Sequence, residues 1–353
     1  MGPVVPPYNG QSVAFTMVFE SLKNTHNITL LNISNRNSII SSLMLFVKIL
    51  VAVFTKKTDL IYFTCSRSFR GSFRDIILLY SAKIKKIKVI NHLHGSDFMS
   101  FYQNLPAFYQ KLVYHAYSFI HTSIVLIDGM EEQFDIFPSM KKVVVENCYN
   151  NSLDTLPAQK QNHEGINILY LSNVMKSKGI IDLLTASKEI LNKYDKININ
   201  IAGDIQGDSY ASSNEIETEF YSHLNALQSE FPERINYLGI CKGEEKKELL
   251  WKSDIFVLPT YYVTEAFPIS ILEAMRAGNY IISTNYKYIP KIVLPENGKL
   301  VTPLSSREIV NAIDSVVNNP MHLLSVQNHN IQWVSNNFTE KRTLDKIKNV
   351  LVS

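Results

Sequence analysis

The second half of the chain alternates short apolar runs with longer stretches of helical periodicity. Ile166–Leu171, Ile197–Ala202, residues 235–238, Ile255–Leu258 and residues 280–283 read as buried strands. A helical pattern follows the first of them, from about residue 179 to 194, and loops or helix-like segments follow the others. Strands alternating with helices predict a parallel α/β sheet of Rossmann type. In such sheets ligands gather beyond the carboxyl ends of the strands, so Ser172, Asn173, Gly203, Asp204, Gly239 and residues 260–265 are expected on one rim.

The first half is less regular. Apolar runs at residues 28–31, Leu60–Phe63, Lys88–His92 and residues 124–127, with helical patterns between several of them, predict a second α/β domain. Around residues 143–158 the strand-like Val143-Val144-Val145 gives way to Asn147, Asn150, Asn151, Asp154 and Pro157, turn-forming residues suited to a hinge. The boundary is placed near residue 155, giving domains 1–155 and 156–337. The apolar run 39–54 contains Ser41, Ser42 and Lys48 and is shorter than the ~20 residues a bilayer span requires, so a buried or interfacial helix is expected.

A length of 353 residues suits two cores, and 46% hydrophobic with 19% charged residues excludes extensive disorder. The net charge of +3 is too small to argue for nucleic acid, but it allows local contact with an anionic membrane surface. Cys65, Cys148 and Cys241 are far apart and form no zinc-binding spacing, which fits a reducing compartment. Residues 1–10, rich in Pro and Gly, lack the basic start and apolar core of a signal peptide, so the expected location is cytoplasmic.

The strongest chemical signal is Glu265 and Glu273, eight residues apart, behind the strand Ile255–Leu258 and around the start of an apolar helix. A helix N-terminus offers unpaired amides to an anion, here from Phe267, Ile269 and Ser270, because Pro268 has none. Glu273 lies among Ile269, Ile271, Leu272, Ala274 and Met275, and a carboxylate in apolar surroundings requires a partner.

The segment from Asp254 to Gly278 resembles the Glu-x7-Glu signature of glycosyltransferase family 4, the group 1 glycosyltransferases, with Ala266 where many members carry Gly. The resemblance implies a GT-B fold, two Rossmann-like domains facing each other across a cleft, and retention of anomeric configuration. It implies that Glu265 sits near the donor sugar and Glu273 holds the ribose hydroxyls of a sugar nucleotide. It also implies that the last helix, about residues 338–353, packs back on the first domain. The family usually opens with a full strand before its glycine-rich loop. Here Met1-Gly2-Pro3 passes almost directly into Tyr8-Asn9-Gly10-Gln11-Ser12, so either the chain starts late or another segment takes that place in the sheet.

Gly10 precedes a helical pattern and could let backbone approach a diphosphate; Asn9 replaces a common Gly of the family's loop. Lys178 opens the helix behind the first strand of the second half, a flexible cation suited to phosphate. It matches the Lys of the family's Arg/Lys pair, whereas Asn173 replaces the Arg and Lys176 is the candidate to compensate. His92 and His94 share one strand face by alternation, but no third ligand accompanies them, so no metal is expected. The resemblance makes His94 the contact to the transferred group from the first domain, with Gly95 giving close access.

Together these imply a retaining glycosyltransferase with a nucleoside diphosphate sugar as donor and no cofactor or metal. In it Lys178 and the amides near Phe267, Ile269 and Ser270 neutralise the departing diphosphate. The expected acceptor is a polyprenyl-diphosphate-linked glycolipid of bacterial polysaccharide assembly, met at the cytoplasmic face of the inner membrane. Arg67, Arg70 and Arg74 or the run Lys83, Lys85, Lys86 and Lys88 are the basic groups available to it. The alternatives are a sugar-nucleotide epimerase of the same architecture and a non-catalytic partner subunit.

Overall fold

The computed structural model describes residues 1–6, 9–34, 39–157, 159–160 and 165–352; Tyr8 of the first loop lies outside them. The chain forms two compact units, residues 1–147 with 341–353, and residues 148–340.

In the first unit β1 (Leu60–Phe63), β2 (Lys88–His92), β3 (Thr122–Val125) and β4 (Lys141–Val144) form a parallel sheet in sequence order. The place beside β1 is filled by the start of the chain: Met1 N donates to Tyr62 O at 2.6 Å and Thr64 N to Met1 O at 3.1 Å. Gly2 in turn forms a parallel bridge with Asn32. The strand expected at residues 28–31 is not formed. Its neighbour offers too little to pair with: Pro3 has no N–H, and the Val4 amide turns to the Asn32 and Ser34 side chains at 3.4 and 3.1 Å. Helices Gly10–Leu22 and Glu340–Val352 pack on this sheet through a shared core. Val18, Leu22, Ile90, Ile124, Val145, Ile347 and Val350 are all buried in it. Thr343 Oγ1 donates to Glu146 O at 3.1 Å and Lys346 Nζ to Glu146 Oε2 at 2.5 Å, fixing the last helix at the end of β4.

The second unit holds six parallel strands: β5 (Ile166–Leu171), β6 (Ile197–Ala202), β7 (Ile235–Tyr237), β8 (Ile255–Leu258), β9 (Tyr280–Thr284) and β10 (Gly298–Val301). Their spatial order is β10-β9-β8-β5-β6-β7. β8 and β9 are buried at every position, as strands covered by helices on both faces must be. β10, an edge strand of four residues with an exposed lysine, carries too weak an apolar signal to be read from sequence. The chain runs from β5 outward through β6 and β7, then returns to place β8 on the other side of β5. The β5/β8 junction is therefore the topological switch point, where open α/β sheets bind ligands.

Candidate functional site

The loops behind β5 and β8 meet at that junction. After β5 a 3-10 turn, Lys176–Lys178, ends on Gly179 and passes into the helix Ile180–Lys193. Gly179 has φ 75°, and a Cβ there would stand 2.2 Å from Pro259 O, so only glycine lets the two loops approach this closely. Tyr261 N donates to Ser177 O at 2.7 Å, joining the loops by backbone.

This contact brings Lys178 to Glu265. The lysine Nζ donates to Glu265 Oε2 at 2.6 Å, and both side chains are largely buried. Thr260 Oγ1 lies 3.0 Å from the same carboxylate oxygen and Lys178 Nζ stands 4.7 Å from the centre of the Tyr262 ring. Asp208 braces the turn from below. Burial by itself would raise its carboxyl, yet hydrogen bonds from Ser177, Tyr210 and Ala211 hold it below the usual carboxylate value.

Pro268 is the residue just before the helix Ile269–Arg276, and among the described residues no side chain caps that helix. Phe267 precedes it and is buried; Ile269 and Ser270 are its first two residues. Glu273, 5% exposed, accepts from Lys246 Nζ at 2.6 Å. The expected partner of this carboxylate is thus a lysine on the helix Gly243–Lys252, which sequence reading missed. Its signal, the string Glu244-Glu245-Lys246-Lys247 opening a helix, resembles any solvated face.

Asn173, Gly203 and Asp204 lie together on the same rim. A Cβ at Gly203 would stand 1.8 Å from Ser172 O, so the ends of β5 and β6 are in backbone contact. Asn173 Nδ2 donates to Gln206 Oε1 at 2.9 Å, and Gln206 Nε2 to Asp204 Oδ2 at 3.0 Å. Lys176 does not turn toward this group: its Nζ pairs with Glu219 at 3.0 Å, because the helix Ser213–Glu230 presents that carboxylate to it.

In the first unit, Tyr62 Oη and His92 Nδ1 are 2.6 Å apart, and the His92 and His94 ring centres are 4.1 Å apart. Burial lowers His92 to about 3 and holds His94 well below the usual histidine value, with His92 and Arg67 adding to the latter. Both rings are therefore neutral. Among the described residues, neither nitrogen of His94 has a hydrogen-bond partner. Arg67 pairs with Asp97 at 2.5 Å, and its guanidinium lies so close to Gly95 that a Cβ there would meet it at 2.5 Å. Arg74 is engaged with the buried Asp75 at 2.7 Å, and Arg70 is exposed. Gly10 is the first residue of its helix; Asn9 caps it, accepting from Ser12 N at 2.9 Å, and so takes one of the amides an anion would use.

Among the described residues no three His, Cys, Asp or Glu side chains are grouped to hold a metal, and no helix is long and apolar enough to cross a membrane.

The model of the family described as "Glycosyl transferases group 1" matches residues 154–333. A human protein, one of the subunits of phosphatidylinositol N-acetylglucosaminyltransferase, is 26% identical over 164 residues, 46% of this chain and 31% of that protein. The gpi3 subunit of the Schizosaccharomyces pombe enzyme is 23% identical over 158 residues, 45% and 32% respectively. The chain thus spans about a third of the length of the curated relatives it matches. Among solved structures, Anabaena Alr3699/HepE in complex with UDP superposes with a TM-score of 0.71 at 16% identity, over 96% of this chain and 89% of that one. A structure described as "Trehalose-6-phosphate from E. coli bound with UDP-2-fluoro glucose" gives 0.72 at 9% identity, over 99% and 97%. These likenesses show the GT-B fold.

Proposed function

This chain belongs to the group 1 glycosyl transferases, and on that premise we propose that it moves a sugar, with retention of anomeric configuration, from a nucleoside diphosphate sugar to a lipid-linked glycan acceptor. The observation that carries the reading is the buried Lys178–Glu265 pair at the β5/β8 switch point, inside the segment the family model matches.

In this reading Lys178 faces the departing diphosphate, aided by the amides of Phe267, Ile269 and Ser270, and Glu265 orients the sugar hydroxyls. Glu273 holds the ribose hydroxyls, with Lys246 setting its carboxylate. Asn173, Gly203 and Asp204 border the nucleotide. In the first unit, His94 offers its unpartnered ring to the transferred group, and Gly10, in the segment that resembles the family's glycine-rich loop, lets backbone approach a diphosphate at the start of its helix. The bond from the anomeric carbon to the diphosphate oxygen breaks, the bond to the acceptor oxygen forms on the same face, and the acceptor proton passes to the leaving phosphate. Lysine and backbone amides supply the charge that a metal would otherwise provide, so no metal is required.

For the acceptor we propose a polyprenyl-diphosphate-linked oligosaccharide of bacterial surface-polysaccharide assembly, such as O-antigen, capsule or exopolysaccharide, reached at the cytoplasmic face of the inner membrane. The names of the human and yeast relatives, which pair N-acetylglucosamine with a phospholipid, support a lipid acceptor. The test is purified protein with UDP- and GDP-sugars in EDTA, with and without polyprenyl-diphosphate glycans, beside Glu265→Ala. Acceptor-dependent transfer with retained configuration, lost in the variant, is expected. Epimerisation without acceptor, or donor binding without any turnover, overturns the reading.

A further inference from the structure

The helix Ile39–Thr55 is apolar on both its faces. Leu45, Ile49 and Val53 are buried, while Ile40, Leu43, Met44, Val47, Val51 and Phe54 stand outward, Ile40 at 71% and Leu43 at 61% exposure. Their spacing of three and four residues makes one continuous outer stripe, interrupted by no charge. Phe73, on the helix Phe69–Ile84, lies beside it: its ring centre is 5.8 Å from that of Phe46, and it is itself 46% exposed. An exposed apolar surface of this kind marks an interaction site.

The charges around it choose the occupant. From residue 21 to residue 58 the chain carries Lys23, Arg36, Lys48, Lys56 and Lys57 and no acidic residue. Lys48 is exposed on the flank of the stripe, and Lys56 and Lys57 are exposed at its carboxyl end. Two copies of this chain meeting through the stripe would bring these lysines together with no carboxylate from the same stretch to answer them. A lipid surface answers both features, because the stripe enters the acyl boundary while the lysine ammonium groups stay among anionic head groups. We propose that the outer face of Ile39–Thr55, bordered by Phe73, Lys48, Lys56 and Lys57, docks on an anionic bilayer. The run Lys83, Lys85, Lys86 and Lys88 lacks such a stripe; Ile84 is its one strongly exposed apolar neighbour.

The inference extends the reading of a lipid-linked acceptor, but its test uses neither donor nor acceptor, so the two can fail separately. Full-length protein is sedimented with vesicles of phosphatidylcholine alone or mixed with phosphatidylglycerol. Binding to the mixed vesicles is expected, weakened by salt and weak with phosphatidylcholine alone. The triple variant Leu43→Ser, Val47→Ser, Val51→Ser should lose at least about 10-fold in vesicle affinity. Lys48→Glu, Lys56→Glu, Lys57→Glu, which leaves the stripe intact, should lose a similar factor on the mixed vesicles only, about 10-fold or more. Folding of each variant is checked by thermal melting. No binding to either vesicle, or equal binding by both variants and the parent, overturns the proposal. So does a dimer in sedimentation velocity that the serine variant abolishes, which would make a second copy the occupant.

Discussion

Lys178 Nζ and Glu265 Oε2 are 2.6 Å apart although 87 residues separate them in the chain, and the side chains keep only 13% and 8% of their surface exposed. Removing one partner of a buried pair leaves the other charge uncompensated. Lys178→Ala and Glu265→Ala should each cost about 3 kcal/mol of stability, read by urea denaturation. Under the proposed mechanism each should also lower kcat by about 100-fold or more. The pair Lys178→Met, Glu265→Leu should recover stability without recovering transfer, which separates the structural from the chemical share.

Lys246 holds Glu273, and it is the less buried of the two. Under the proposed function, Lys246→Ala should weaken binding of the nucleoside diphosphate through misplacement of the carboxylate, by about 10-fold, while Glu273→Ala loses the proposed ribose hydrogen bonds themselves, about 1–3 kcal/mol or up to 100-fold. Titration calorimetry with UDP and GDP reads both. Equal affinity in Glu273→Ala and parent would remove the nucleotide from this carboxylate.

Glycines divide by what surrounds them. Gly179→Ala would place a Cβ 2.2 Å from Pro259 O at φ 75°, and Gly203→Ala would place one 1.8 Å from Ser172 O. Gly243 also has a positive φ, 55°, but nothing lies within 4 Å of its Cβ position. Gly243→Ala should therefore cost about 1 kcal/mol, and the other two at least about 3 kcal/mol with loss of activity. Melting temperatures of the three variants check the order.

His92 titrates at about 3 in the folded chain instead of 6.5, because burial disfavours its charged form. The unfolded chain therefore binds the proton first on acidification. The stability this group contributes is complete above pH 6.5 and is lost as pH falls from there toward 3, on the order of a few kcal/mol in all. Chemical denaturation of the parent between pH 7 and 4 should show the decline, and His92→Phe should flatten it. The same slope in both would clear this histidine.

Much of the fold was legible because a strand covered on both faces must be apolar along its whole length. Ile255–Leu258 announces itself for that reason and Ile197–Ala202 by its alternation of isoleucine with asparagine, whereas the edge strand Gly298–Val301, with its exposed lysine, does not. Residues 28–31 carry the same apolar signal and yet form no strand, because pairing depends on the neighbour and Pro3 interrupts the one available.

Local composition by itself determined most of the strands and helices, that Glu273 must be buried on its helix, and that a cation and a carboxylate border the same sheet rim. Only the tertiary structure decided their partners. Lys178 reaches Glu265 because β8 returns beside β5, and Glu273 meets Lys246 because the helix Gly243–Lys252 is brought against its own. It also decided which face of the apolar helix Ile39–Thr55 is left outside. The period of a pattern reports what each residue needs from its surroundings, but contacts between distant segments are set by strand order and helix packing, which no local pattern encodes.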